Sequence, residues 1–182
     1  MAYYYFAASL PALSLDQPAT MTEAEYVDLC RDHLAARDLQ AVNALFDGAP
    51  SDHVLVCEWR RRDTQLRNAV VRIRAQRRQI DATAALRPHS GYELAIESAV
   101  ERAFQAGDPL QRERQLDELR WRLLDEIQGT DSFGVPMILT YLLRLQLCNR
   151  WSALTEEQGK ARMQDTLDST SSSGIEEATN AQ

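Results

Sequence analysis

The stretch Phe133–Trp151, FGVPMILTYLLRLQLCNRW, is the most apolar run of the chain and decides its fold. Apolar residues at this density point to all sides of a helix, which is typical of a helix enclosed by others. Arg144 interrupts the run, and about 20 uninterrupted apolar residues are needed to cross a bilayer. We therefore predict a central core helix, around which the other helices pack, and no transmembrane segment.

The charge composition limits the classes of function. The 182 residues suffice for one domain with a substantial core. A net charge of −7 argues against general polyanion binding as the main role. Lys160 is the only lysine among 20 basic residues, so a mechanism that uses a lysine nucleophile or a Schiff base is not expected.

The cysteines predict a reducing compartment. Cys30, Cys57 and Cys148 lie far apart in helical or apolar contexts and form no CxxC pair. We therefore expect buried free thiols and a cytoplasmic protein. The first ten residues have neither the basic region nor the apolar length of a signal peptide.

Helix boundary signals begin after residue 20. Thr22 and Glu25 form a capping-box pattern, which predicts a helix that runs to about Ala36. Asp38 is predicted to cap the next helix, and Gly48 to end it. From about Asp52, apolar residues recur every three, four or seven positions, which indicates a long amphipathic helix.

The second half of the chain continues this helical pattern. A helix is predicted over Tyr92–Ala106, with Gly107 at the position after its end. Asp108 followed by proline is a strong start for a helix over Pro109–Gln128. Acids and arginines alternate along the helix Pro109–Gln128, and we expect them all on its outer side, including Glu113, Asp117 and Arg120.

The two ends of the chain differ in composition. Tyr3, Tyr4, Tyr5 and Phe6 form an aromatic N-terminal run that fits a short strand or a short helix, and we expect it to dock into the core. A last helix is predicted from Thr155 to about Leu167. Residues 168–182 are small, polar and acidic, which predicts a disordered tail. The predicted fold is an all-α bundle of about six to seven helices, in one domain over residues 1–167.

No pattern of catalytic or ligand-binding residues stands out. His33, His53 and His89 are scattered without metal-ligand spacing, and no nucleotide-binding or nucleophile motif occurs. Glu97 and Glu101 lie one helical turn apart, which fits a solvated helix face better than a shared proton. We predict no catalytic, cofactor-binding or metal-binding residue, and a protein that is not an enzyme.

The long helix is the one strongly basic region. Eight arginines against two acids lie between Glu58 and Arg78. These arginines could pair internally or be solvated, they could dock an acidic protein, or they could bind nucleic acid. Trp59 is the only aromatic residue among them, so the base stacking of single-strand binders is not expected.

Four arginines are the candidate partner-binding residues: Arg60, Arg67, Arg74 and Arg78. Sevenfold spacing places the first three on one helix face. Reversing Arg60, Arg67 and Arg74 to glutamate is predicted to abolish binding to the partner, if this face is the interface.

Four stretches in the same order resemble one bacterial family of unknown function. They are MAYYYFAASLPAL, CEWRRRDTQLRNAVVRIRAQRRQIDA, DPLQRERQLDELRW and FGVPMILTYLLRLQLCNRW, and they cover most of residues 1–152. The order of the stretches carries the resemblance, because no single motif is diagnostic.

Members of that family are encoded in operons for V/A-type ATP synthases. The family is distantly similar to the rotor-cap protein of these ATPases, named C or d, which is all-helical and funnel-like and joins the central stalk to the membrane ring. The resemblance implies a non-catalytic subunit or assembly factor of such an ATPase, with stalk and ring subunits as partners and peripheral attachment to the membrane. The chain is about half the length of the rotor-cap protein, which implies a reduced version. The alternative is a helical adaptor for another acidic protein; nucleic acid is the less favoured ligand.

Overall fold

The computed structural model describes residues 3–153, and these form seven α-helices without a β-strand. One 3₁₀ turn lies between the fourth and fifth helices, at Thr83–Ala85. The predicted all-α fold is therefore confirmed. The predicted helix at 155–167 and the tail at 168–182 lie outside the described residues. The helices are α1 Tyr4–Ser9, α2 Glu23–His33, α3 Ala36–Asp47, α4 Val54–Arg78, α5 Leu94–Ala103, α6 Pro109–Gln128 and α7 Val135–Ser152.

Three predicted helix ends are confirmed by their local geometry. Thr22 accepts from the backbone N–H of Glu25, whose carboxylate accepts in return from the backbone N–H of Thr22. Asp108 accepts from two backbone N–H groups of the first turn of α6. Gly48 ends α3 in the left-handed conformation, with φ of 71°, which glycine adopts without steric cost.

Two other predicted ends are wrong. Asp38 lies inside the first turn of α3, after Ala35 at the cap position. Its carboxylate instead accepts a 2.6 Å hydrogen bond from the hydroxyl of Tyr3. The carboxylate is thus engaged in a tertiary contact and does not cap α3. α5 ends at Ala103, four residues before Gly107, because the next N–H groups, of Gln105 and Ala106, donate to carbonyls three residues back instead of four.

The first hydrophobic core surrounds α7. It joins α7 to α1, α2 and α3, together with Val56 of α4 and Leu124 of α6. The ring of Tyr26 in α2 stacks on Tyr141 of α7 at 4.9 Å, and its hydroxyl donates to the carbonyl of Ile138 at 2.8 Å. The prediction of a central α7 is confirmed for this half of the molecule. None of the helices within residues 3–153 is both long and apolar enough to span a bilayer.

The aromatic N-terminus is only partly buried. Tyr3 and Phe6 belong to the first core. Tyr5 is 88% exposed, and Tyr4 is half-exposed against Phe133 at a ring distance of 4.6 Å. The expectation that this terminus docks into the core is therefore confirmed for Tyr3 and Phe6 but not for Tyr4 and Tyr5, because a short helix directs successive side chains to different sides.

A second hydrophobic core lies among α4, α5 and α6. Leu66, Val100, Phe104 and Leu119 are among its buried members, which all come from these three helices or from Phe104 directly after α5. Arg61, early in α4, contacts Glu93 at the start of α5. Arg77, late in α4, donates to the carbonyl of Phe104 at the end of α5. The two helices therefore run in the same direction. The chain must therefore return along α4 through residues 79–93 before α5 begins.

Two buried amides of α4 hold this return segment. Gln65 donates to the carbonyl of Glu93 at 2.9 Å and accepts from its N–H at 3.0 Å. Asn68 does the same with Arg87, at 2.7 and 3.0 Å. Each amide thus satisfies both backbone groups of one residue, as a neighbouring strand would.

Replacing Gln65 by leucine is expected to destabilise the protein by about 1–3 kcal/mol, because the N–H and carbonyl of Glu93 lose their partners. Urea unfolding measures the loss, and hydrogen exchange should quicken over residues 80–93. The matched control is Gln76→Leu, at an exposed position of the same helix, which should change neither quantity. Equal effects of the two substitutions would contradict the anchoring role of Gln65.

Candidate functional site

The four predicted partner-binding arginines do not share one surface. Arg60 donates through Nη2 to the carbonyls of Ala44 and Ala49, at 2.8 and 2.5 Å. It therefore closes the carboxyl end of α3. Its reversal to glutamate, as in the triple variant suggested by the sequence, would disturb the fold as well as any interface.

Arg67, Arg74 and Arg78 are the exposed members of the predicted set. Arg67 and Arg74 line one groove, and their side chains are 59% and 55% exposed. Arg78 is exposed at the end of α4 and is not among the residues that line this groove. The structure thus brings together two of the four predicted residues.

Other arginines of α4 pair with acids inside the protein. Arg61 contacts Glu58 at 2.8 Å and Glu93 at 2.5 Å. The hydrogen bond from Arg61 holds the pKa of Glu58 below its ordinary value. Arg72 binds both oxygens of Glu97, at 2.6 and 2.7 Å. Internal pairing, one of the alternatives from the sequence, therefore applies to this part of the helix.

The pairing with Arg72 also corrects the prediction for Glu97. The side chain of Glu97 is only 14% exposed, whereas Glu101 lies on the exposed side of α5. The two carboxylates therefore do not share a solvated face. The stretch of α5 that carries Glu97 instead packs against the basic helix α4.

The groove itself lies where α4, α6 and α7 meet. We call it the arginine groove; its volume is about 300 Å³. Val70 and Leu116 are among its apolar lining residues, and Glu113 is its one acid. The full lining consists of Arg67, Val70, Val71, Arg74, Glu113, Leu116, Arg120 and Arg150. Its lining contains four guanidinium groups and one carboxylate, and the adjacent Asp63 and Asp117 bring the number of carboxylates to three. The groove therefore keeps a small excess of positive charge on a protein that is acidic as a whole.

Two buried aspartates lie beside the groove and hold three of its four arginines, Arg67, Arg120 and Arg150. Asp63 accepts from Arg67 at 2.6 Å and from Arg120 at 3.1 Å. Asp117 is fully buried and contacts Arg120 at 2.7 Å and Arg150 at 2.9 Å. This network ties the three helices together and fixes the guanidinium groups in place.

Trp151 completes the network, since its indole N–H donates to Asp117 at 2.9 Å. Burial alone would lower the pKa of Arg120, but the charges of Asp63 and Asp117 outweigh it, and the pKa is raised. Arg120 is thus held firmly in its charged form. The prediction that Asp117 and Arg120 lie on the outer side of α6 is wrong, because their side chains are 0% and 13% exposed and pair with each other and with groups of α4 and α7.

The arginine groove can bind a carboxylate. Arg74 and Arg150 each contact Glu113 at 3.3 Å, which is long for a charge-assisted hydrogen bond. The same Nη2 of Arg150 also lies 2.9 Å from Asp117, so the exposed Arg74 is the donor that a partner's carboxylate could engage in place of Glu113. Guanidinium groups offer several N–H donors in a plane that matches a carboxylate.

Residues 3–153 contain no group of three or more His, Cys, Asp or Glu side chains that could hold a metal ion. Cys30 and Cys148 are buried free thiols, as predicted, and burial raises the pKa of Cys30 to about 11. Cys57 is exposed, so the prediction of a buried thiol is wrong there. Its Sγ contacts the carbonyl of Ser51 at 3.2 Å on the surface of α4.

The sequence indicated only the α4 part of this site. Asp117 and Arg120 belong to the DELRW stretch, and Arg150 and Trp151 end the α7 stretch. Both stretches contribute to the resemblance, and the network gives their polar residues a shared structural role. The spacing of Asp117 and Arg120, an acid and an arginine three residues apart, could have indicated their ion pair. The same spacing also occurs on exposed helix faces, so it does not predict a buried network.

Comparison with known proteins gives one family match. Residues 91–171 match the model of a family described as "Protein of unknown function (DUF2764)". The match begins before α5 and includes α6 and α7, so it contains Asp117, Arg120 and Arg150. It covers less than half of the chain and leaves out α4. Neither the curated proteins nor the solved structures contain a significant match.

Proposed function

We propose that this chain is a non-catalytic subunit or assembly factor that docks onto an acidic protein surface through the arginine groove. The observation that carries the proposal is the grouping of Arg67, Arg74, Arg120 and Arg150 from three helices in one groove. Arginines are enriched at protein interfaces, and their bidentate contacts with carboxylates give orientation as well as affinity.

The rigidity of the groove supports a docking role. Asp63 and Asp117 hold the guanidinium groups of Arg67, Arg120 and Arg150 before any partner arrives. A partner would therefore bind without the entropy cost of ordering these side chains. A coupling component needs stiffness and interfaces more than catalytic groups, and a buried ion network across three helices supplies stiffness.

The proposed partner is a V/A-type ATPase, on the strength of the resemblance described above. In this role the chain would lie in the cytoplasm, peripheral to the membrane, and connect the central stalk to the membrane ring as the rotor-cap protein does. The acidic surface would belong to a protein of the stalk or the ring. No membrane insertion and no cofactor is part of the proposal.

A helical adaptor for another acidic protein is the second candidate, because the groove chemistry would be the same. Nucleic acid is less suited to the site, since the chain carries a net charge of −7 and the residues that line the groove include no aromatic ring on which a base could stack. A phosphate backbone would also show affinity that falls steeply with salt.

Affinity purification of the tagged chain at native expression levels, followed by protein identification, tests the proposal. Recovery of central-stalk and membrane-ring subunits is the expected result. Recovery of a different acidic protein without ATPase subunits would select the adaptor. Recovery of no stoichiometric protein would contradict both docking functions.

A further inference from the structure

A second and larger groove lies between α5, α6 and the loop before α2. Its volume is about 800 Å³, and we call it the α5–α6 groove. Leu13, Leu15, Ala99 and Trp121 form the apolar part of its lining. It shares no lining residue with the arginine groove, so the two surfaces can act independently.

The face of α6 in this groove carries charges of alternating sign. Arg114, Glu118 and Arg122 line the groove, and Glu126 follows at the same spacing. Residues four apart are neighbours along one side of a helix, so these residues form a stripe that alternates between arginine and glutamate. We call these four residues the charged stripe. Glu118 and Glu126 are 53% and 60% exposed, and Arg122 is also exposed.

The two central residues of the charged stripe are the ones with unused charge. The outer two, Arg114 and Glu126, already have partners on other parts of the protein. Among residues 3–153, Glu118 has only a 3.5 Å ion contact with Arg114, and Arg122 has no ion-pair partner. A contact of 3.5 Å is long for a charge-assisted hydrogen bond. Glu118 and Arg122 can therefore pair with charges on another molecule.

We propose that the α5–α6 groove binds a second copy of this chain, with the two α6 helices antiparallel across a two-fold axis. An axis midway between Glu118 and Arg122 places each of them opposite the other in the second copy. The same axis places Arg114 opposite Glu126, so all four positions meet opposite charges. A symmetric parallel pair would instead place every charge against its own sign. The charge order therefore selects the antiparallel dimer.

The geometry of the stripe also fits a helix–helix contact. Residues four apart form a ridge on the helix surface, and the packing of such ridges from two helices is the commonest class of helix contact. Trp121 and the leucines of the loop lie beside this ridge in the same groove. They supply the apolar surface that the centre of an interface requires.

The mixed charge of the groove favours this occupant over a small anion or an acidic peptide. The lining contains three arginines and two acids, Asp16 and Glu118, and Arg114 is already paired with Asp16. A ligand of one sign would be repelled by part of this lining. A copy of the same surface offers both signs in the complementary order, which gives specificity for that partner.

Dimerisation leaves the arginine groove open. Leu116 and Arg120 of α6 line that groove, and each lies two positions before a central residue of the charged stripe. Two positions correspond to about 200° around a helix, so the two surfaces lie on opposite sides of α6. The dimer therefore presents two arginine grooves. The inference does not depend on the proposed ATPase partner.

Complementary charge reversals test the dimer. Glu118→Arg gives a chain with arginine at both central positions, and Arg122→Glu gives a chain with glutamate at both. Each variant alone should have a dimer dissociation constant at least about tenfold above that of the wild type, because like charges then face each other. An equimolar mixture of the two should dimerise again, since every arginine then faces a glutamate. Sedimentation velocity over a concentration series measures association, and native mass spectrometry identifies the mixed dimer.

The double variant, Glu118→Arg with Arg122→Glu, restores opposite charges between identical chains and should dimerise as the wild type does. Asp32→Arg and Arg37→Glu, at exposed positions of α2 and α3, are the matched charge controls. They should dimerise as the wild type does, and circular dichroism checks that every variant is folded. A wild-type chain that stays monomeric throughout the series would overturn the inference. Dimers that resist both single reversals, or a mixture of the two variants that stays monomeric, would do the same.

Discussion

Replacing Asp117 by alanine is expected to destabilise the protein by about 3–5 kcal/mol, the cost typical of removing one partner from a buried ion pair. Asp117 is fully buried and accepts from Arg120, Arg150 and Trp151. Without it, the indole N–H loses its acceptor and Arg120, only 13% exposed, keeps a single carboxylate. Urea unfolding followed by circular dichroism measures the loss.

The neighbouring substitution Glu118→Ala is the matched control. Glu118 is 53% exposed and contacts Arg114 at 3.5 Å, and exposed ion pairs contribute about 0–1 kcal/mol. Its removal should therefore shift the unfolding midpoint little. Similar losses for the two variants would show that the network at Asp117 does not hold α4, α6 and α7 together.

Neutralising Arg67 and Arg74 together, as Arg67→Gln with Arg74→Gln, is expected to weaken partner binding at least about tenfold, or about 1.4 kcal/mol. Both side chains are more than half exposed in the arginine groove. Asp63 keeps its contact with Arg120 when Arg67 is neutral, so the variant should remain folded. Titration against the purified partner measures the affinity.

The control for this prediction is Arg31→Gln with Arg37→Gln, which changes the net charge equally. Arg31 is 58% exposed on α2, where it pairs with Asp28 on the surface. If binding depended only on overall charge, both double variants would lose the same affinity. That outcome would remove the arginine groove from the interface.

Local signals in the sequence were sufficient for most helix ends. Thr22 with Glu25, Asp108 before proline, and Gly48 are each defined by contacts within one turn. Asp38 shows the limit of such signals, because its carboxylate binds Tyr3 from a distant part of the chain. Gln65 and Asn68 were not recognised for the same reason, since their partners are backbone groups of the return segment.

The candidate site could be predicted only in part. The spacing of Arg67 and Arg74 correctly indicated a shared face of α4, but Arg60 has the same spacing and binds carbonyls of α3 and the loop after it. Asp117 and Arg120 were predicted on the outer side of α6 because the sequence of one helix does not tell which neighbour covers it. The contribution of Arg150 depends on how α7 packs on α6.

A photo-activated amino acid at Val71, which lines the arginine groove, tests the central claim most directly. Irradiation of cells that carry this variant at native levels should join the chain to an acidic central-stalk or membrane-ring subunit of a V/A-type ATPase. The same amino acid at Leu29, partly exposed on α2, should give no such product. No product from Val71, or the same product from both positions, would contradict the account.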